Sequence, residues 1–334
     1  KWELETLTTL SLLFSKDMKD RAQSRRLRNK NFRSFAELVN TLKKLSEAEG
    51  VLYLDGKKIL RVLSRAVNQQ FLWQRGFFNQ HVVYRYSYIY GSEQHREYFR
   101  DLYEISLDEM QLVAFSYYGL FRQRFTVNRR QSDDILGVKP TEWLKAVDLL
   151  SSSISEMRRI ANVLVGDARA KLGARLPVEY FPSPLRGKPI VFDDSNQNLL
   201  MCPLPELLVS RATSGLFYDF IHADSSIRNV AAARFELYCI RYLEAMLPNL
   251  QISGEIEYKK SGKRFRSPDV LISENDEIVV IGECKSRRIN IFAQYADDPW
   301  EQENTGFNEI ANGIFQIWRF VAHARIGVIP GVAL

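Results

Sequence analysis

The sequence predicts an α/β protein, with a mainly α-helical N-terminal domain followed by an α-β-β-β-α-β core. Three observations carry this. Residues 1–176 hold a series of apolar runs with helical spacing. Six of the eleven prolines then fall between Pro177 and Pro205, and proline removes a backbone donor and breaks regular elements. Beyond them come short β-branched runs, Val270-Leu271-Ile272 and Ile278-Val279-Val280-Ile281, separated by the polar turn Ser273-Glu274-Asn275-Asp276. The expected organisation is a helical recognition or regulatory domain at 1–176, a Pro-rich boundary at 177–205 and the α/β domain at 206–334.

Taken in order, the expected N-terminal helices are Trp2–Phe14, Phe35–Ala48, Lys57–Trp73, Ser106–Phe121, Thr141–Ser152 and Ser155–Lys171. Ser106 and Glu109 have the spacing of a capping box ahead of Met110, Leu112 and Val113. Tyr84, Tyr86, Tyr88 and Tyr90 alternate with other residues, which predicts a strand with one aromatic face. That face either packs half-buried or stacks bases beside Arg85. The basic run Lys16, Lys19, Arg21, Arg25, Arg26, Arg28, Lys30 and Arg33 is either a phosphate contact or a solvated face. Inside the boundary, Lys188–Phe192 and Leu199–Cys202 flank a polar turn and predict a small hairpin, followed by a short helix at Leu207–Ser214. A longer helix runs from about Ser226 to Met246. After Pro248 the expected order is strand Gln251–Tyr258, a basic turn, strand Asp269–Ile272, strand Ile278–Lys285, helix Phe307–Ala324 and strand Gly327–Leu334.

At 334 residues, with 46% hydrophobic and 26% charged side chains, the composition is that of an ordinary globular protein. A net charge of +6 inclines the partner toward a polyanion. Cys202, Cys239 and Cys284 are far apart in sequence and lack metal-ligand spacing, so they read as reduced, buried thiols. No apolar run approaches the roughly 18 residues of a membrane span. Leu7–Phe14 is short and lacks a cleavage site, which is not the pattern of a signal peptide. A cytoplasmic location without membrane contact is the expectation. The chain opens at Lys1 without Met, the pattern expected of a trimmed or partial chain.

The stretch Gly254–Arg288 concentrates the chemistry. Strand alternation makes Glu283 and Lys285 share a face, with Cys284 on the other. An acid and a base leaving an otherwise apolar strand are costly to bury without a role. Asp269 opens the neighbouring strand, so two carboxylates and a lysine at adjacent strand ends suit a divalent-metal site. Glu236 precedes Cys239, Ile240, Leu243 and Leu247 at helical spacing and so lies on the apolar stripe of its helix. It is either an edge residue of that stripe or a third carboxylate aimed at the sheet. Lys259, Lys260, Lys263, Arg264 and Arg266 crowd the turn leading into Asp269 and form either a nucleic-acid backbone clamp or a solvated hairpin. The histidines, His81, His95, His222 and His323, are scattered. Neither a Walker-type phosphate loop nor a Gly-x-Ser-x-Gly elbow is present.

Pro268-Asp269 followed by Glu283-Cys284-Lys285 resembles the signature of the PD-(D/E)XK, or restriction endonuclease-like, nuclease superfamily. The resemblance covers the C-terminal third of the chain. It implies a restriction endonuclease-like fold for that part and phosphodiester hydrolysis as its activity. Mg²⁺, or Mn²⁺ in its place, would be held by Asp269, Glu283, the backbone carbonyl of Cys284 and Glu236. Lys285 would orient the attacking water and offset charge on the phosphate. Some members carry Gln-x-x-x-Tyr on the second helix; here Gln316 is followed by Phe320, and the tyrosine is missing. DNA is the substrate the resemblance favours over RNA, with restriction or defence against foreign DNA as a role by analogy. Many members cut both strands as dimers, so a homo-oligomer or a complex with a partner protein is compatible, although no segment is a clear dimerisation element. The alternative is a nuclease fold used for nucleic-acid binding or assembly without catalysis.

Overall fold

The computed structural model describes residues 2–14, 32–53, 63, 66–67, 73, 80–129, 136–173, 176–286, 291–296, 300 and 304–329. The expected helix Lys57–Trp73 and the basic run up to Lys30 fall mostly or wholly outside these residues; Arg33 is exposed and pairs with Glu37 at 3.3 Å. The protein is mixed α/β, helical toward the N-terminus with small sheets toward the C-terminus. None of its described helices is long and apolar enough to cross a membrane.

Two compact units form. The first comprises Lys1–Val83, Arg96–Asp219 and Gln294–Asp297; the second comprises Tyr84–His95, Phe220–Ala293 and Asp298–Leu334. The Pro-rich segment 177–205 therefore lies within the first unit.

In the first unit the helix Leu107–Gln123 buries Leu107, Met110, Val113, Ala114, Tyr117 and Phe121. Its start is fixed by the capping box. The Ser106 amide donates to Glu109 Oε2 at 2.8 Å and the Glu109 amide donates to Ser106 Oγ at 3.2 Å. The helix Pro140–Leu150 packs beside it. The helical pattern hides two short strands, β1 (Thr126–Asn128) and β2 (Ser151–Ser153). They join the expected hairpin, β3 (Ile190–Asp193) and β4 (Asn196–Met201), in a sheet of order β1-β4-β3-β2. Only the β2–β3 pair is parallel. A buried ion pair locks the end of this unit. Arg211 donates to both oxygens of Asp219 at 2.7 and 2.9 Å, and the Tyr103 hydroxyl donates to Asp219 at 2.6 Å. Burial, then this hydrogen bond, pushes the Tyr103 hydroxyl well above its ordinary pKa.

The second unit contains the helix Ser225–Met246, β5 (Gln251–Ser253), β6 (Glu257–Lys260), β7 (Lys263–Arg266), β8 (Val270–Glu274), β9 (Glu277–Gly282) and the helix Asn304–Arg325. The expected single strand Gln251–Tyr258 is two strands, split at Gly254–Ile256. A Cβ on Gly254 would lie 3.3 Å from Ile240 Cδ1, a tight approach to the Ser225–Met246 helix. β5, β8 and β9 form an antiparallel sheet in that order, while β6 and β7 form a separate hairpin. β9 ends at Gly282, earlier than expected, so Glu283–Lys285 follow the strand instead of closing it. Residues 327–329 form no strand, and 330–334 lie outside the described residues.

The tyrosine segment corrects another expectation. Gln80–Tyr90 is a helix, so the tyrosines form two i,i+4 pairs, Tyr84–Tyr88 at 6.0 Å and Tyr86–Tyr90 at 6.3 Å between ring centroids. Tyr90 stacks on Phe220 at 4.8 Å, and the His95 ring meets both edge-on. His95 is wholly buried, with its Nδ1 2.5 Å from Ser92 Oγ. Burial first, then the Arg234 charge, lowers its pKa to about 4.

His95 therefore couples stability to pH. The unfolded histidine gains its proton near pH 6.5 and the folded one only near pH 4, so stability present above pH 6.5 is lost as pH falls toward 4. The loss is on the order of 3 kcal/mol across that window. Urea unfolding of the wild type and His95→Phe between pH 7.5 and 4 (roughly, the range that spans both ionisations) should show a smaller acid loss in the variant. Parallel losses would contradict the assignment.

Candidate functional site

The β8–β9 hairpin turns through Asn275 and Asp276 at φ of 50° and 65°. These residues tolerate the left-handed region that a two-residue hairpin loop requires. Val270, Leu271 and Ile272 are all buried, so β8 is covered on both faces and offers a rigid base. Val270 pairs with Gly282 at the open end. Asp269 and Glu283 therefore stand directly beyond the last pair. There Asp269 Oδ2 accepts the Cys284 amide at 2.7 Å, tying the two strand ends together.

The direction of Glu283 depends on an irregularity. Ile272 pairs with Val280 but Ser273 pairs with Ile278, which leaves Val279 as an extra residue in β9. The bulge resets the alternation. Ile278 and Ile281 both pack on the cluster of Tyr258, Leu271, Phe320, Ala324 and Ile329. Glu283 and Lys285, two and four residues after Ile281, then reach the helix Asn304–Arg325 at Gly313. A Cβ on Gly313 would lie 3.1 Å from Lys285 Cε and 3.2 Å from Glu283 Cγ. Lys285 Nζ donates to Glu283 Oε1 at 2.7 Å. The Glu283 side chain is only 8% exposed, and its Oε2 is buried without a partner.

Glu236, on the Ser225–Met246 helix, lies within electrostatic reach of this cluster. Burial first, then the negative charges of Asp269, Glu255 and Glu283, holds its carboxyl above the ordinary pKa, with Lys285 opposing. Glu255, which the sequence reading missed, is raised the same way by burial and by Asp269, Glu257 and Glu283, against Arg266. Cys284 turns to Cys239 on the same helix, and the three cysteines are free thiols. The hydrogen bond that the Cys284 thiol donates to Cys239, then burial, pushes its pKa far up. These two cysteines, distant in sequence, are thus adjacent.

Two further residues brace the site. Gln316 Nε2 donates to the Ser267 carbonyl at 2.9 Å, and the wholly buried Ser267 exchanges hydrogen bonds with Ile256 through its amide and hydroxyl, both at 2.9 Å. Together they fix the Pro268-Asp269 entry to β8. Gly313 was detectable as an isolated glycine inside a helical pattern; Ser267 carried no signal in the sequence.

The donor chemistry fits a hard divalent cation. It comprises the Asp269 and Glu283 carboxylates, whose negative charges, after burial, raise the Glu236 pKa, and a buried orphan oxygen on Glu283. Among the described residues no three His, Cys, Asp or Glu side chains already converge as a ligand set.

The basic residues occupy β6 and β7, whose turn is Ser261-Gly262 at φ of 51° and 79°. Lys259 lies opposite Arg264 and Lys260 opposite Lys263. Like charges directly opposed on a ladder destabilise it. Arg266 is committed to Glu255 at 3.2 Å and Glu257 at 3.5 Å, whereas no carboxylate among the described residues pairs with the other four. Tyr258 and Phe265 stack at 5.7 Å and join the same apolar cluster as Leu271 of β8, which anchors the hairpin to the strand carrying Asp269. Arg287 and Arg288 lie outside the described residues.

Comparison with protein-family models, with curated proteins and with solved structures returns no match, so the chain is assigned to no family.

The like-charge field at Glu236 has a measurable sign. A carboxyl whose folded pKa lies above its unfolded value contributes most at low pH, and that contribution is lost as pH rises through the folded pKa. Glu236→Gln should therefore gain stability relative to wild type as pH rises from the acid range to neutrality. Urea midpoints for both proteins across that range test it, and a variant that loses ground as pH rises would remove Glu236 from the cluster.

Proposed function

We propose that the protein is a divalent-metal-dependent nuclease of the PD-(D/E)XK type, acting on DNA in preference to RNA. The observation that supports it most is the placement of Asp269 and Glu283 at adjoining strand ends, with Lys285 on Glu283 and Glu283 Oε2 buried and unpartnered. An orphan buried carboxylate oxygen is costly, and a cation relieves that cost.

Asp269, Glu283 and Glu236, with the Cys284 carbonyl, would hold Mg²⁺ or Mn²⁺. The ion would supply charge relief at the phosphate and acidify a bound water. The chain's own residues do the rest. Lys285 carries a positive charge beside Glu283, placed to orient the attacking water and offset charge on the phosphate. Asp269 holds the Cys284 amide and so fixes the backbone around both residues. The four unpaired cations of β6 and β7 receive the nucleic-acid backbone, whose phosphates offset the opposed like charges. Restriction or defence against foreign DNA remains a role by analogy.

A second reading has one observation in its favour. Lys285 already neutralises half of Glu283, as a structural ion pair would, which suits a nucleic-acid-binding or assembly protein without turnover.

Single substitutions separate the two. Asp269→Ala and Glu283→Ala should each abolish Mn²⁺ binding and plasmid cleavage together. Lys285→Ala should retain Mn²⁺ binding, because a protonated lysine donates and does not ligate. Its cleavage should fall by about 10² or more, as for a group acting in the transition state. Neutralising Lys259, Lys260 and Lys263 together should weaken binding and flatten its salt dependence. Calorimetric Mn²⁺ titration beside a cleavage time course decides. Wild-type cleavage by Lys285→Ala would refute the nuclease reading, and salt-dependent binding with no turnover by the wild type would favour the second.

A further inference from the structure

The helices Gln80–Tyr90 and Ser225–Met246 meet through tyrosines in the second unit. Tyr238 lies 6.2 Å from Tyr84, 6.4 Å from Tyr88 and 5.8 Å from Tyr242 between ring centroids. Tyr238 is buried and accounts for the packing. Tyr84 and Tyr242, at the ends of the row, are 58% and 42% exposed, so packing does not explain them.

Three arginines accompany the row. The Arg234 guanidinium sits 4.5 Å from the Tyr88 ring and its Nε donates to the Tyr88 carbonyl at 2.7 Å. Arg241, which is exposed, lies 5.5 Å from the same ring. Arg85 lies 4.9 Å from the Tyr86 ring, and its Nε is buried without a partner. No carboxylate among the described residues forms an ion pair with any of the three. Aromatic faces attract a cation but carry no net charge, so the positive charge of the surface stays uncompensated. The surface also adjoins the candidate site, because the Arg85 charge reaches Cys239, three residues after Glu236 on the same helix.

We propose that this tyrosine–arginine surface binds an unpaired nucleic-acid strand, with Tyr84 and Tyr242 stacking bases and Arg85 and Arg241 meeting phosphates. Exposed aromatic rings beside uncompensated cations suit bases that a duplex would keep stacked within itself. The inference deepens the nucleic-acid reading above and adds a contact separate from the β6–β7 hairpin.

The test is fluorescence anisotropy with a labelled oligothymidylate and, separately, a duplex, both in EDTA so that cleavage does not interfere. Tyr84→Ala and Tyr242→Ala should each weaken strand binding by about 10-fold or more, with little change for the duplex. Tyr84→Phe and Tyr242→Phe should bind as wild type, since stacking survives loss of the hydroxyl. Arg241→Gln should reduce the slope of log affinity against log salt by about 0.7. The surface is refuted if the alanine variants bind the strand as wild type does, if strand and duplex weaken equally, or if the wild type binds no strand. The two readings fail separately. Tyrosine-independent binding in a protein that cleaves removes this surface and leaves the nuclease, whereas tyrosine-dependent binding without cleavage in Mn²⁺ removes the nuclease and leaves the surface.

Discussion

Between Ile272 and Ser273 of β8 the register with β9 slips by one residue, and the geometry of the candidate site depends on that slip. Were Val279 an ordinary ladder residue, strict alternation from Ile278 would keep Val280 and Gly282 on the core side and send Ile281, Glu283 and Lys285 the other way. With it, Ile281 joins Ile278 on the apolar cluster, and Glu283 and Lys285 come to Gly313. Asp269 then secures the arrangement by accepting the Cys284 amide beyond the last ladder pair. A charge-assisted hydrogen bond of this kind contributes about 1.5–3 kcal/mol, which holds a segment that has left the strand. Gly313 leaves the room, and Gln316 with Ser267 fixes the other strand's entry.

The second unit separates its charges. Asp269 and Glu283 stand at the strand ends with Lys285 beside Glu283, and their negative charges, after burial, raise the pKa of Glu236 and Glu255. Lys259, Lys260, Lys263 and Arg264 lie on a hairpin anchored to the same apolar cluster, where Lys260 and Arg319 also depress the His323 pKa after burial. Each part carries a folding cost that a bound partner of opposite charge removes.

Much of this was legible in the sequence where local chemistry governs. The turn at Asn275-Asp276, the β-branched strands on either side, the Ser106–Glu109 box and the side-by-side placement of Glu283 and Lys285 all follow from short-range rules. The rest was decided by tertiary packing. Tyrosines at alternate positions in 84–90 have high strand propensity, yet as a helix they form i,i+4 pairs and pack on Tyr238 and Phe220. β1 and β2 are three residues each, too short for any periodicity to register. The split of 251–258 leaves no mark in the local pattern, and the bulge at Val279 leaves none in a run of valines and isoleucines.

On the proposed reading, Glu283 Oε2 and Asp269 bind a divalent cation. Anomalous scattering from Mn²⁺-soaked crystals would then give a peak within bonding distance of Glu283 Oε2 and an Asp269 oxygen, with Lys285 remaining beside the site. Crystals that take up Mn²⁺ elsewhere, with Glu283 Oε2 still buried and unpartnered, would contradict it.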